Sequence, residues 1–334
     1  MLTLKPHQLL FSLSLVAGIL VAISSSSWFL LWMGLELNLL SFIPIMASSS
    51  NRYSTESALK YFLIQALGSA TILAASPLSM ISFYLSTLII FLALLLKVGA
   101  APLHFWFPTV MQGITWVQSL TLMTVQKIAP ISMMSMLINS TSATIVILSS
   151  IFSSLVGAIG GLNQTLTRKI ISYSSINHMA WLLASISFNE QLWLIYFLSY
   201  TFVSTSVVVI LHFNQIFHFN QLMTMSLPSK PLKMSLFLSL LSLGGLPPLL
   251  GFLPKMLVIQ EFLLTKNSFI WLAVLLFSAL LTLFFYLRIA LSSFILASPK
   301  MKMSSSQPKP QLLFILPFLN LSPLLYPLIL LIIY

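Results

Sequence analysis

An all-α polytopic membrane protein is the fold this sequence predicts, and three observations carry the prediction. Apolar residues make up 58% of the 334 positions and charged residues only 6%, a balance no water-soluble domain of this length sustains. The apolar residues fall into runs long enough to cross a bilayer, separated by short polar loops. The basic residues collect in alternate loops. The expectation is a single transmembrane domain, 1–334, of about eleven helices with no extramembrane domain.

The spans follow in order. The first, 8–24, comes after Lys5-Pro6-His7 and is read as a retained helix, because a second span follows directly. The second, 27–46, carries the one deep acid, Glu36, with Trp32 and Leu40 on its helical face and Asn38 nearby. The third, 55–80, opens with Glu56 and Lys60, spaced for an ordinary surface pair. The fourth, 83–107, runs uncharged from Leu85 to Leu96 and then meets Lys97 and Gly99-Ala100-Ala101-Pro102. The fifth, 115–137, holds Lys127 with Pro130 just beyond. The sixth, 143–162, has Gly157, Gly160 and Gly161 spaced for close helix contact. The seventh, 168–187, has an unusually polar face in Ser172–His178, and the eighth is 191–213. The ninth, 233–263, holds Gly244-Gly245-Leu246-Pro247-Pro248 and then Lys255. The tenth, 268–293, carries Arg288 near its end, within reach of the basic side, and the eleventh is 311–333.

Composition also excludes function classes. There is no cysteine, which removes disulfides, thiolate metal sites and thiol catalysis. The formal charge of +11 does not indicate nucleic-acid binding, because the basic residues are scattered between apolar runs instead of forming one patch. No pair of histidines has ligand spacing with acidic support, so no metal is expected. Nor does the chain carry a glycine-rich phosphate loop, a dinucleotide fingerprint or a haem ligand pair.

Orientation follows from the loops. Lys5, Arg52, Arg168, Lys169, Lys230, Lys233, Lys300, Lys302 and Lys309 fall on the N-terminal side of an eleven-span chain, whereas the opposite side receives Lys266 and Glu190. The positive-inside rule then puts the N-terminus in the cytoplasm or matrix and the C-terminus opposite. Spans four and nine each pair a lysine with a Gly/Pro break, near Gly99–Pro102 and Gly244–Pro248. They lie five spans apart and so run antiparallel. The sequence therefore predicts two discontinuous helices in pseudo-symmetric inverted five-helix repeats, 27–162 and 168–333, an arrangement that marks transport sites.

A lysine within a span costs roughly 2.5–3.5 kcal/mol on insertion and marks a functional site by default. Lys97, Lys127 and Lys255 are thus the candidate charge carriers. Proline leaves the carbonyl four residues earlier without its helical donor. On this reading Pro102 frees Val98, Pro130 frees Gln126 and Pro254 frees Leu250, each beside a lysine. Burial favours a neutral amine and a nearby carboxylate favours an ammonium, so Glu36 is expected to pair with Lys97; a static ion pair that fixes packing is the plainer alternative. His178, Tyr173, Ser174, Asn177 and His104 are candidate relay residues, with interhelical hydrogen bonding as the competing role.

The stretches Trp32–Asn38, Leu95–Pro108, Gln126–Pro130, Gly160–Thr165, Ser174–His178 and Leu243–Lys255, taken in order, resemble the chain 2 family of NADH–ubiquinone oxidoreductase, respiratory complex I, in its short animal mitochondrial form. The resemblance implies an antiporter-like membrane-arm subunit of the mitochondrial inner membrane, its N-terminus in the matrix and its C-terminus in the intermembrane space. It also implies that proton translocation is coupled to electron transfer from NADH to ubiquinone. The family's Glu–Lys pair falls on Glu36 and Lys97, its central lysine on Lys127 and its outlet-side lysine on Lys255. No cofactor is implied on this chain; NADH, FMN, iron–sulfur clusters and ubiquinone are bound by other subunits. Implied partners are the other core and accessory subunits of the membrane arm and lipid, including cardiolipin. A stand-alone cation/proton antiporter and a non-pumping structural subunit are the alternatives.

Overall fold

The computed structural model describes residues 6–48, 51–219, 221, 230–265 and 268–295. The expected eleventh span, 311–333, and Lys5, Lys266, Lys300, Lys302 and Lys309 lie outside the described residues, as do the side chains of Lys230 and Lys233.

The described elements are helical. In order they are α1 (Pro6–Ser24), α2 (Trp28–Ala47), α3 (Arg52–Ala75) with a 3₁₀ turn at Pro77–Met80, α4 (Phe83–Val98), α5 (Trp106–Gly113), α6 (Trp116–Met123), α7 (Val125–Met136), α8 (Ser140–Leu162), α9 (Thr167–Phe188), α10 (Glu190–Phe213), α11 (Lys230–Gly244), α12 (Phe252–Thr265) and α13 (Phe269–Ile295). Six helices are long and apolar enough to cross a membrane: α1, α2, α3 with its 3₁₀ turn, α8, α10 and α13. The protein is a multi-pass membrane protein. Most buried serines suit such surroundings by returning their hydroxyl to the carbonyl three residues earlier, as in Ser132 to Ala129 and Ser185 to Leu182.

Both expected helix breaks are present and end alike. At the end of α4, Gly99 takes φ +77° and its N–H reaches the carbonyls of Leu95 and Leu96, while Ala100 N–H also reaches Leu95. At the end of α11, Gly245 takes φ +82° and its N–H reaches Leu241 and Ser242, with Leu246 N–H also on Leu241. A left-handed residue that closes the last turn this way favours glycine, which has no Cβ to crowd the following carbonyl. A further interruption, at Thr124, separates α6 from α7. It precedes Lys127, whereas Pro130 lies inside α7.

The chain divides into two compact units, Met1–Ser149 and Ser150–Tyr334, the division falling within α8. In the first unit α3 is the central element, packed against α2, α4 and α5, while α4 also meets α7. Here α1 and α2 approach backbone to backbone. A Cβ on Gly18 would lie 2.9 Å from Asn38 N, and one on Gly34 would lie 2.6 Å from Ala22 N. In the second unit α9 is buried along nearly its whole length and packs against α10, α12 and α13. The glycines of the sixth span let α8 close on α9 and α13: Gly157 faces Asn177 N, Gly160 the Tyr173 ring and Gly161 the Phe285 ring.

Candidate functional site

The three span lysines are buried in protein, with 7%, 2% and 5% of Lys97, Lys127 and Lys255 exposed. None faces the outer surface, where Leu10, Leu13, Leu20 and Leu63 are exposed.

In the first unit the site is organised by α3. Tyr61, Gln65, Gly68 and Ser69 are all buried or close-packed and fall at helical spacing i, i+4, i+7 and i+8, on one face. Each does something different. Ser69 Oγ donates to Glu36 Oε1 at 2.6 Å. Gly68 leaves room for the Lys97 stem, whose Cγ would lie 3.1 Å from a Cβ there. Gln65 Nε2 donates to the Lys97 carbonyl at 3.1 Å. Tyr61 OH donates to Gln126 Oε1 at 3.1 Å, next to Lys127. One stripe therefore touches Glu36, Lys97 and the neighbour of Lys127. This stripe was not anticipated from the sequence, where the third span offered only Glu56 and Lys60. That pair does form, at 2.6 Å on the exposed first turns of α3.

The expected direct pairing of Glu36 with Lys97 is not what the structure contains. Lys60–Glu56 is the one ion pair within 4.0 Å among the described residues. Glu36 is held instead by the Ser69 hydroxyl, and the Lys97 stem crosses α3 at the neighbouring Gly68. The helix-end carbonyls beside Lys97 are also taken: Trp106 Nε1 donates to Leu96 O at 3.0 Å and Gln65 to Lys97 O. Lys127 lies over the Phe107 ring, its Nζ 4.8 Å from the centroid. The same Phe107 packs on Gly99, where a Cβ would come within 3.2 Å of it. His104 is buried, with Nδ1 3.2 Å from Pro102 O and its ring against Phe105.

In the second unit Lys255 spans the break. It stands in the first turn of α12 and its Nζ donates to the Gly244 carbonyl at 2.9 Å. That places the amine at the partially negative end of α11. Its stem packs on Gly245, and Nζ lies 5.8 Å from the Trp181 ring of α9. Pro254 plays a different part from the expected one. It sits in the first turn of α12, where N–H groups have no helical acceptor to lose, so it starts a helix and does not break one.

The four candidates on α9 divide between two faces. Tyr173 packs on Gly160, and Asn177 is held by Ser278 and Thr282 of α13. Ser174 returns its hydroxyl to Ile171 O. His178 Nδ1 lies 3.0 Å from Tyr196 OH, and its ring lies tilted against Tyr200 with centroids 5.0 Å apart. A small cavity lined by His178, Tyr200, Ser199, Ser242, Gly251 and Pro254 joins this histidine to the α11–α12 break. His178 therefore shares a cavity with Pro254, whereas Tyr173 and Asn177 face α8 and α13. Arg288 lies over Phe219 and Arg168 over Phe217.

Comparison with known proteins is consistent with these features. The family model described as NADH:quinone oxidoreductase/Mrp antiporter, TM, matches residues 25–82 and 75–282. NADH-ubiquinone oxidoreductase chain 2 of Anopheles gambiae is 47% identical over 296 residues, covering 86% of each chain. The protein of the same name from Lumbricus terrestris is 38% identical over 333 residues, covering 98% of each. Among solved structures, a chain of respiratory complex I from Thermus thermophilus with bound Aureothin superposes with a TM-score of 0.86 at 25% identity, covering 98% of this chain and 80% of that one. A chain of the Mrp complex from Dietzia sp. DQ12-45-1b shares the fold, with a TM-score of 0.83 at 15% identity and coverage of 96% and 75%. The chain belongs to the NADH:quinone oxidoreductase/Mrp antiporter family and, within it, to the NADH–ubiquinone oxidoreductase chain 2 group.

Proposed function

We propose that the chain is an antiporter-like subunit of the respiratory complex I membrane arm and takes part in proton translocation coupled to electron transfer from NADH to ubiquinone. Electron transfer takes place on other subunits. Lys97, Lys127 and Lys255 take up and release protons, and Glu36 modulates Lys97. The observation that carries this reading is the burial of three lysines in a multi-pass membrane protein, each in a short helix beside an interruption or helix end. A side chain so costly to insert is kept for its charge.

We further infer the finer architecture. The left-handed glycine breaks, one per unit, support two inverted halves, 27–162 and 168–333, in an eleven-span chain. The basic loops support an N-terminus in the mitochondrial matrix. The exposed leucines of α1 and α3 suit lipid, cardiolipin included, or neighbouring hydrophobic subunits.

The test is Lys97→Met, Lys127→Met or Lys255→Met in the assembled complex, sealed in vesicles. Complex abundance stays near the parent level while protons moved per NADH oxidised fall. Unchanged proton movement would favour the structural role, and sodium flux through the isolated chain would favour the stand-alone antiporter.

A further inference from the structure

Ser69 sits where Glu36 and Lys97 converge. Glu36 reaches it from α2, and the Lys97 stem crosses α3 at the adjoining Gly68. The serine is wholly buried, so its hydroxyl has only protein to answer to. Two acceptors compete for it: Glu36 Oε1 at 2.6 Å and the Ala66 carbonyl at 3.0 Å. A serine hydroxyl carries a single hydrogen, and that hydrogen can serve only one of them well at a time. The shorter contact has the length of a hydroxyl donating to a charged carboxylate. The longer one is the back-bond that most buried serines of this chain make and to which they are confined.

We propose that Ser69 is a positioning residue that sets whether Glu36 engages Lys97. With the hydroxyl turned to Glu36, the carboxylate is held on α3 and off the amine. With the hydroxyl turned back to Ala66, Glu36 is released to close on Lys97, whose stem crosses α3 at the adjoining Gly68. Rotation about a single side-chain bond thus exchanges the two arrangements without moving a helix. This rests on the proposed proton-translocating function and assigns a second group to its Glu36–Lys97 element.

The experiment compares Ser69→Ala, Ser69→Thr, Glu36→Gln and the double variant Ser69→Ala/Glu36→Gln in the assembled complex, with complex abundance and the rate of NADH-driven proton translocation in vesicles as readouts. Losing a hydrogen bond to a charged group from one of two exchanging arrangements shifts their ratio roughly tenfold or more. Ser69→Ala is expected to slow translocation by about that factor at parental abundance. Ser69→Thr, which keeps the hydroxyl, restores it. Adding Ser69→Ala to Glu36→Gln has no further effect, because the serine acts through the carboxylate. If Ser69→Ala translocates at the parental rate, or if its effect multiplies that of Glu36→Gln, the assignment of Ser69 is overturned while the role of Glu36 stands. A loss of abundance in Ser69→Thr reports packing of the added methyl, and the double variant then decides alone. If Glu36→Gln itself is silent, the broader proton-translocation reading of that element falls as well.

Discussion

Lys255 Nζ donates to the Gly244 carbonyl at 2.9 Å across the break between α11 and α12. The lysine belongs to the second half-helix and its bond closes the first. The ammonium is drawn to the carbonyl end of α11 and opposed by the amide end of α12. A proton on this amine therefore changes how firmly the two half-helices are tied.

Gly245→Ala tests that tie. The residue has φ +82°, and a Cβ would lie 2.8 Å from Lys255 Nζ. The left-handed conformation alone costs a residue with a Cβ about 1–2 kcal/mol. The expected outcome is a lower dissociation temperature of the complex together with slower proton translocation, measured on the same preparation. An Ala variant with parental values of both would show that the amine does not need this glycine.

Gln65→Leu removes the donor to the Lys97 carbonyl and leaves a buried acceptor open. Such a group costs about 1–3 kcal/mol. Thermal stability of the complex should fall by a corresponding amount, and Gln65→Glu should not restore it, because a carboxylate has no amide hydrogen to offer.

Phe107 supports Lys127 by its ring face and packs on Gly99. A desolvated cation over a ring is stabilised by up to about 2 kcal/mol. Phe107→Leu should slow NADH-driven translocation, whereas Phe107→Tyr, which keeps the ring, should stay near the parent in the same assay.

Glu56→Gln serves as the contrast. The Lys60–Glu56 pair is exposed on both sides, and pairs of this kind contribute little. Neither abundance nor translocation should change measurably.

Much of this was legible in the sequence. Apolar runs located the helices, and Gly99-Ala100-Ala101-Pro102 and Gly244–Pro248 marked the breaks beside Lys97 and Lys255. What escaped did so for geometric reasons. Tyr173 and Asn177 are four residues apart, as are Ser174 and His178, but the two pairs are offset by one residue, which is about 100° around a helix. Of the four, His178 lines the cavity at the α11–α12 break, while Tyr173 and Asn177 face α8 and α13. Pro254 looked like a helix breaker until the start of α12 at Phe252 placed it in the first turn. The α3 stripe was hidden because each of Tyr61, Gln65, Gly68 and Ser69 is unremarkable alone; their shared period was the available signal. That a hydroxyl would hold Glu36 depends on how α2, α3 and α4 meet, which no single span encodes.

The backbone contact of α1 with α2 at Gly18 and Gly34 leaves no room for a Cβ at either position. Glu36 is two residues from Gly34, so its Cα is effectively clamped to a two-helix beam. Any stroke of its carboxylate is limited to the reach of its own rotamers, and a bulkier residue at Gly34 would move the origin of that stroke without touching an ionisable group.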